Sequence, residues 1–468
     1  MRQILLAFAA LLAVLLAAAC DSGETSSPAG SPEVANGSAT AAVTGSSDTA
    51  TATVPAADSP TLAPDGYPKL GAYTGIAHVL GDPSFQPLPG ATAHFGTLDN
   101  AMYRVEIPDE WNGDLVVWAH GFEGFGKELD VDSPPAALRE LIIRRGYAWA
   151  ASSYSENGYA PGVGADDTLA VRNFFIEEFG EPEAIYLVGA SMGGNVVALS
   201  LEHFPGAYDG ALAICGAVGG QTQIDYLVSW AHLAAFFAGT ELPLEDGPLA
   251  VTLTLTGEVS DALGEPDAPT VAGAQFASTI RMLTGGPRPF FQEGFVEQYL
   301  LNFGYILSDP GLETATARAA TNAETEYAIE PGLGITADAI NEGVHRQTAD
   351  PGFRNATDYP DKVPTAGNLS APLLTLHGTG DLFVPISQEI EYGASVEAAG
   401  KTDLLVQRAI RAPGHCHFSA EEITQAFTDL TAWVTDGVRP GGDDLTGDLS
   451  AIGRAFTNPL RPGDPGLE

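Results

Sequence analysis

Ala184-Ile185-Tyr186-Leu187-Val188-Gly189-Ala190-Ser191-Met192-Gly193-Gly194-Asn195-Val196-Val197-Ala198-Leu199 decides how this chain is read. A five-residue apolar run of strand length meets a Gly-rich turn, and an apolar helix follows from about Gly194 to His203. Gly189 and Gly193 permit a strained, tight turn and a close helix–strand approach. The turn lifts the Ser191 hydroxyl off the sheet edge, at the positive end of a helix. In a chain with 54 glycines, G-x-S-x-G carries little weight alone. Its seat between a buried strand and a helix gives it meaning.

Outward from this stretch the pattern repeats. Residues 101–107 alternate and predict a strand; Leu115–Ala119, Tyr147–Ser152, Gly210–Cys215, Pro372–Leu376 and Asp403–Ile410 predict more. Helices are predicted over 134–145 and Asp166–Phe179, with Asp166-Asp167 read as an N-terminal cap. Strands separated by helices imply a mostly parallel sheet covered on both faces, with ligands at the carboxyl ends of its strands. Residues 219–365 break the rhythm: helical pieces at 221–238, 270–284, 290–305 and 311–326 predict a helical cap inserted between two strands. The cap's Trp230, Phe236, Phe237, Phe290, Phe291, Phe295, Tyr299 and Phe303 suit either an apolar pocket lining or the cap's own core.

Three further motifs follow strands. His120-Gly121-Phe122-Glu123-Gly124 comes after Leu115–Ala119. The backbone N–H of Phe122, with that of Met192, is placed to stabilise an oxyanion, each such donor being worth roughly 2.7–4 kcal/mol. His120 reads as a buttress of this loop. His377-Gly378-Thr379-Gly380-Asp381 follows the next strand, so Asp381 can orient an imidazole. Beyond it stand His415 and His417, in Pro413-Gly414-His415-Cys416-His417. A general base titrating near neutrality suits either; the Gly-His pair favours His415, leaving His417 as bystander or substrate contact.

The order Ser191…Asp381…His415, with the His-Gly turn upstream, resembles the α/β-hydrolase superfamily over about residues 95–218 and 366–435. The resemblance implies an α/β fold with a Ser–His–Asp triad, a covalent acyl-enzyme and no cofactor or metal. Ser191 would attack a carbonyl, His415 would take its proton, and Asp381 would orient His415. Carboxylic esters of small molecules are the expected substrates. Peptides are the alternative within the superfamily, and a non-catalytic surface binder on the same scaffold is a further reading. Cys215 ends the strand after the Ser191 helix and Cys416 adjoins His415, so a Cys215–Cys416 disulfide would tie the His loop to the core; two buried thiols are the alternative.

The N-terminus adds a location. Met1-Arg2-Gln3 precedes an apolar run, Ile4–Ala19, shorter than the ~20 residues of a membrane span. Leu16-Ala17-Ala18-Ala19-Cys20 resembles a bacterial lipobox, which implies a signal over 1–19, a lipid anchor on Cys20 and an exported, membrane-tethered protein. An ordinary signal peptide with Cys20 incidental is the other reading. Residues 20–64 are Ser-, Thr-, Ala-, Gly- and Pro-rich and predict a tether. The hydrolase core is then assigned to 65–218 and 366–435, and 436–468 to an irregular tail. Asp443, Asp444 and Asp448 lack the glutamate of a calcium loop. With 60 acidic residues, 20 basic ones and a net charge of −40, a nucleic-acid partner and docking on anionic lipid are both disfavoured. The lipid on Cys20 is the one membrane contact expected.

Overall fold

A computed structural model describes residues 66–71, 77–246, 248–308, 318–354 and 364–459. The proposed signal, Cys20 and the tether lie outside the described residues. Eight strands form one sheet: β1 (Ala91–Leu98), β2 (Ala101–Pro108), β3 (Leu115–Ala119), β4 (Ala148–Ser152), β5 (Ile185–Ala190), β6 (Gly210–Ile214), β7 (Leu373–Gly378) and β8 (Leu405–Ile410). Their order across the sheet is β8-β7-β6-β5-β3-β4-β2-β1. β2 is antiparallel to both β1 and β4, while the pairs from β4 through β8 are parallel. This is the α/β-hydrolase architecture that the resemblance implies.

Every residue of β3, β4, β6 and β7 is buried, which is why these strands read as largely apolar runs, with Ser152, Thr375 and His377 their polar members. Alternate side chains feed two cores. Val117, Leu187 and Ala211 pack with helices α2 (Pro161–Phe179) and α3 (Met192–His203). Val116, Trp118, Tyr186, Val188 and Leu212 pack on the other face with α1 (Ala136–Arg144) and α7 (Ala420–Asp436). Helix α7 begins at a full capping box between Ser419 and Glu422.

Between β6 and β7 the chain leaves the sheet. Helices α4 (Gln221–Ala238), α5 (Val271–Leu283) and α6 (Phe291–Ser308) surround Trp230, whose ring meets those of Phe276, Phe295, Tyr299 and Phe303. Trp230, Phe291, Phe295, Tyr299 and Phe303 are all at most 4 % exposed, so they are the cap's own core and not a pocket lining. Among the described residues no helix is long and apolar enough to cross a membrane.

Several expectations need correction. β1 escaped the sequence reading because Gly96 and the polar Thr92, His94 and Thr97 dilute its apolar pattern at the sheet edge. Helix α2 begins at Pro161, five residues before its predicted start. Asp166 and Asp167 therefore do not cap it. Asp166 accepts the Leu70 and Gly71 amides, and Asp167 accepts the amide and hydroxyl of Ser155. Helix α3 starts at Met192, earlier than Gly194. The described part of 311–326 beyond Ala319 is turn and irregular chain, not helix, whereas short helices at Ala337–Gly343 and Pro351–Arg354 went unseen. The tail is irregular but packed: Leu445, Leu449 and Ile452 bury against Ile386 and Ala409. Asp443 accepts the Ala409 amide, while Asp444 and Asp448 hold local turns.

Candidate active site

The carboxyl ends of β3, β5, β7 and β8 converge on Ser191. This residue sits at φ 57°, ψ −121°, between β5 and α3. Such a backbone costs a non-glycine residue about 1–3 kcal/mol, which the surrounding structure must hold in place. The Ser191 amide donates to the Ile214 carbonyl (3.0 Å), and its carbonyl accepts from Gly194 (2.9 Å) and Ala217 (3.0 Å). A Cβ on Gly193 would stand 2.1 Å from the Ala119 carbonyl oxygen, and one on Gly189 2.3 Å from that of Gly193. Both positions therefore require glycine for helix α3 to approach β3 and β5 this closely.

His415 Nδ1–H donates to Asp381 Oδ2 (2.6 Å), leaving Nε2 to accept the Ser191 hydroxyl (2.9 Å). Asp381 is fully buried, and its Oδ1 accepts the amides of Phe383 and Val384 at 3.0 Å each. His415 keeps 17 % of its side chain exposed, so the line opens toward solvent at its Ser end. His417 is not in this line. It is half-exposed, 3.4 Å from Glu297 of α6. His377 lies beneath the Asp381 loop, where its Nε2–H donates to the Val384 carbonyl (2.8 Å). Burial works against a charged His377, yet the hydrogen bond and charge of Glu389 raise it above its ordinary value overall.

Cys215 and Cys416 form a disulfide, with Cα atoms 5.2 Å apart. His415 lies within 4.8 Å of both sulfurs. Bonded to each other, these sulfurs offer no thiolate to a metal. Both cysteines have positive φ, as do Ser191, Tyr154 and Phe290. Strained backbone thus gathers around this site.

Gly121 packs directly on Ser191: a Cβ there would come within 3.2 Å of the Ser191 Cβ. This brings the loop that continues into Phe122 close to the hydroxyl, and Met192 follows Ser191 as the first residue of α3. His120 is 2 % exposed, stacks on Tyr154 (centroids 3.7 Å apart) and is pushed down from its ordinary value by burial. Tyr154 in turn donates its hydroxyl to the His120 carbonyl (3.1 Å). Nothing in the sequence marks Tyr154, whose role follows from a left-handed backbone two residues past the end of β4.

The same loop carries Glu123, to which the sequence reading gave no role. Burial, then the Asp132 and Asp130 carboxylates, push the Glu123 carboxyl up to about 7. Glu123 keeps 44 % of its side chain exposed, so solvent screening trims the effect. A carboxyl raised in the folded state binds its proton more tightly there than in the unfolded chain, so folded stability falls as pH rises from about 4.5 to 7. Glu123→Gln is therefore expected to raise the melting temperature at pH 8 relative to wild type and to leave it nearly unchanged at pH 5. Thermal melts at the two pH values check this; an equal difference at both would contradict it.

Residues 93–231, from β1 into the first cap helix, match a tannase-like family of unknown function (DUF6351). Over 436 residues the chain is 23 % identical to an o-phthalyl amidase from Xanthobacter agilis, covering 80 % of this chain and 93 % of that protein. Among solved structures it is similar to feruloyl esterase B from Aspergillus oryzae, at 15 % identity, TM-score 0.45, and 76 % and 89 % of the two chains. It is also similar to an acylaminoacyl peptidase from Pyrococcus horikoshii, at 14 % identity and TM-score 0.40, covering 76 % of this chain and 44 % of that one.

Proposed function

We propose that this chain is an exported serine hydrolase that cleaves carboxylic esters through an acyl-enzyme on Ser191. The observation that carries the reading is the hydrogen-bonded line Asp381–His415–Ser191 on a strained strand–turn–helix. In this mechanism His415 Nε2 takes the Ser191 proton as Oγ attacks the carbonyl carbon, then gives it to the leaving alkoxide. Asp381 holds the ring with Nδ1 protonated and stabilises the imidazolium. The Phe122 and Met192 amides meet the charge that develops on the carbonyl oxygen. Water repeats the sequence to release the acid, and no cofactor enters. The lipobox-like ending at Cys20 supports export and a lipid tether, and a disulfide beside the site suits an oxidising compartment.

The similarity to an o-phthalyl amidase favours a second reading, in which the bond cleaved is an amide of an aromatic acid. The same triad serves both, since only the leaving group differs. The test pairs labelling with a substrate panel. A fluorophosphonate should modify Ser191, read by mass spectrometry of the digest. p-Nitrophenyl esters from acetate to palmitate, with anilides of the same acids and of o-phthalic acid, then divide ester from amide preference. Absence of labelling at Ser191 would overturn both readings.

A further inference from the structure

We infer that the cap does more than roof the site: through Gln298 of helix α6 it is the positioning element for Asp381 and His415. The inference rests on the proposed serine-hydrolase reading. Gln298 is 2 % exposed. Its Oε1 accepts the amides of Leu382 (3.0 Å) and Phe383 (2.8 Å), and its Nε2 donates to the carbonyls of Gly380 (3.1 Å) and Pro413 (2.8 Å). A weaker contact to Gly294 (3.3 Å) ties it to its own helix. One carboxamide thus holds the residues flanking Asp381 and, at the same time, the loop two residues before His415. The Phe383 amide is shared between Gln298 Oε1 and Asp381 Oδ1, so the amide side chain sets the angle at which the carboxylate is held.

The rest of the cap is built around the same loop. Asn302, one turn along α6, donates to the Leu382 carbonyl (2.9 Å), as does the Tyr226 hydroxyl of α4 (2.6 Å). Gln223 of α4 donates to the Phe383 carbonyl (2.7 Å), and the buried Arg288 to that of Thr379 (2.6 Å). The Leu382 side chain is fully buried in the cap's aromatic core. Helix α6 could not come closer: a Cβ on Gly294 would lie 1.8 Å from the Gly380 carbonyl oxygen and 2.6 Å from that of Pro413. The carbonyls of Thr379, Gly380, Leu382 and Phe383 thus find their partners in the cap, while the Thr379 and Gly380 amides donate to Ile410 and Ala412 at the end of β8. Catalysis by a constellation of this kind is sensitive to displacements near 1 Å. A hydrogen-bonding side chain that spans both loops is therefore placed to control rate while standing off the substrate.

The test is Gln298→Leu, which keeps the volume and removes the bonds. If Gln298 positions the acid and base, kcat falls by about 10- to 100-fold for every ester in the panel, with KM and the chain-length ranking unchanged. The Nδ1 proton of His415, which resonates far downfield in such a short hydrogen bond, shifts or broadens in the proton NMR spectrum. Asn302→Leu removes one bond to the same loop and keeps the question open to experiment should Gln298→Leu fail to fold; a smaller fall in kcat, roughly 3- to 10-fold, is expected. Gln298→Glu retains acceptors for the two amides but sets a carboxylate against two carbonyls, and its rate should lie at or below that of the Leu variant. A folded Gln298→Leu protein with wild-type kcat and an unmoved His415 resonance overturns the inference, as does a change in KM and chain-length ranking at constant kcat, which would make the residue a specificity element. Failure of the underlying reading is distinct: there the wild-type protein itself is not labelled at Ser191, while the resonance still reports whether Gln298 holds His415.

Discussion

Ser191→Ala will lower kcat/KM for whichever ester or amide this protein cleaves by roughly 10⁴- to 10⁶-fold, without changing the fold. The expected size follows from what the hydroxyl is asked to do. At about 1.4 kcal/mol per decade, a 10⁵-fold loss is about 7 kcal/mol of transition-state stabilisation. Removing one oxygen can cost this much because the other parts act through it: His415 Nε2 has no proton to take, and the amides of Phe122 and Met192 meet a weaker developing charge from water attack. The residual rate should stem from those amides and from binding alone. The substitution is conservative for the structure. Ser191 keeps its backbone bonds to Ile214, Gly194 and Ala217, and its φ of 57° is no worse served by Ala than by Ser. Circular dichroism and the melting temperature should therefore match wild type within a degree or two. A variant that retains a tenth or more of the activity would mean that the chemistry runs without Ser191, and the serine-hydrolase proposal would fall.

Why so much of this site could be read from sequence is a matter of range. The turn at Ser191, the His120-Gly121 turn and the Asp381 loop each follow a strand buried on both faces, and such strands announce themselves as short apolar runs in any sheet of this kind. Chain order then put His415 and Asp381 with Ser191 without any knowledge of distance. What the sequence left hidden depends on pairing across long separations. Gln298 and Asn302 look like ordinary polar residues of an amphipathic helix; their meaning lies in the backbone of residues 380–383 and 413, some 80 to 115 positions away. The choice between His415 and His417 rested on a neighbouring glycine, and it took the geometry to show that one ring meets Ser191 while the other faces Glu297. The edge strand β1 was lost because an edge tolerates Gly and polar residues that a central strand does not. Asp166 and Asp167 misled because acidic residues near a helix start usually cap it, whereas here Pro161 starts the helix and both carboxylates serve loops that pack on its flank.

Cutting the Cys215–Cys416 bridge carries the largest expected effect on stability. The two residues are 201 positions apart in sequence and enclose the whole cap. A loop of that length gives a chain-entropy contribution of about 5 kcal/mol, at the upper end of what disulfides deliver. Against a typical domain stability of about 5–15 kcal/mol this is a large fraction. With an unfolding entropy near 2.1 cal/mol/K per residue over roughly 400 residues, the melting temperature should drop by about 6 °C in Cys215→Ser/Cys416→Ser. The bridge also acts locally. Cys416 follows His415 directly, and Cys215 anchors it to the end of β6, whose Ile214 carbonyl receives the Ser191 amide. The double variant should therefore lose kcat as well as stability, while KM stays close to wild type. Redox compartment supplies the independent check. Protein folded in a reducing cytosol should carry two alkylatable thiols and melt early; protein folded in an oxidising compartment should carry none at these positions and melt late. Equal melting temperatures for the two preparations would show that the bridge adds nothing to the fold. Free thiols in protein folded under oxidising conditions would remove both the bridge and the support it lends to the export proposal.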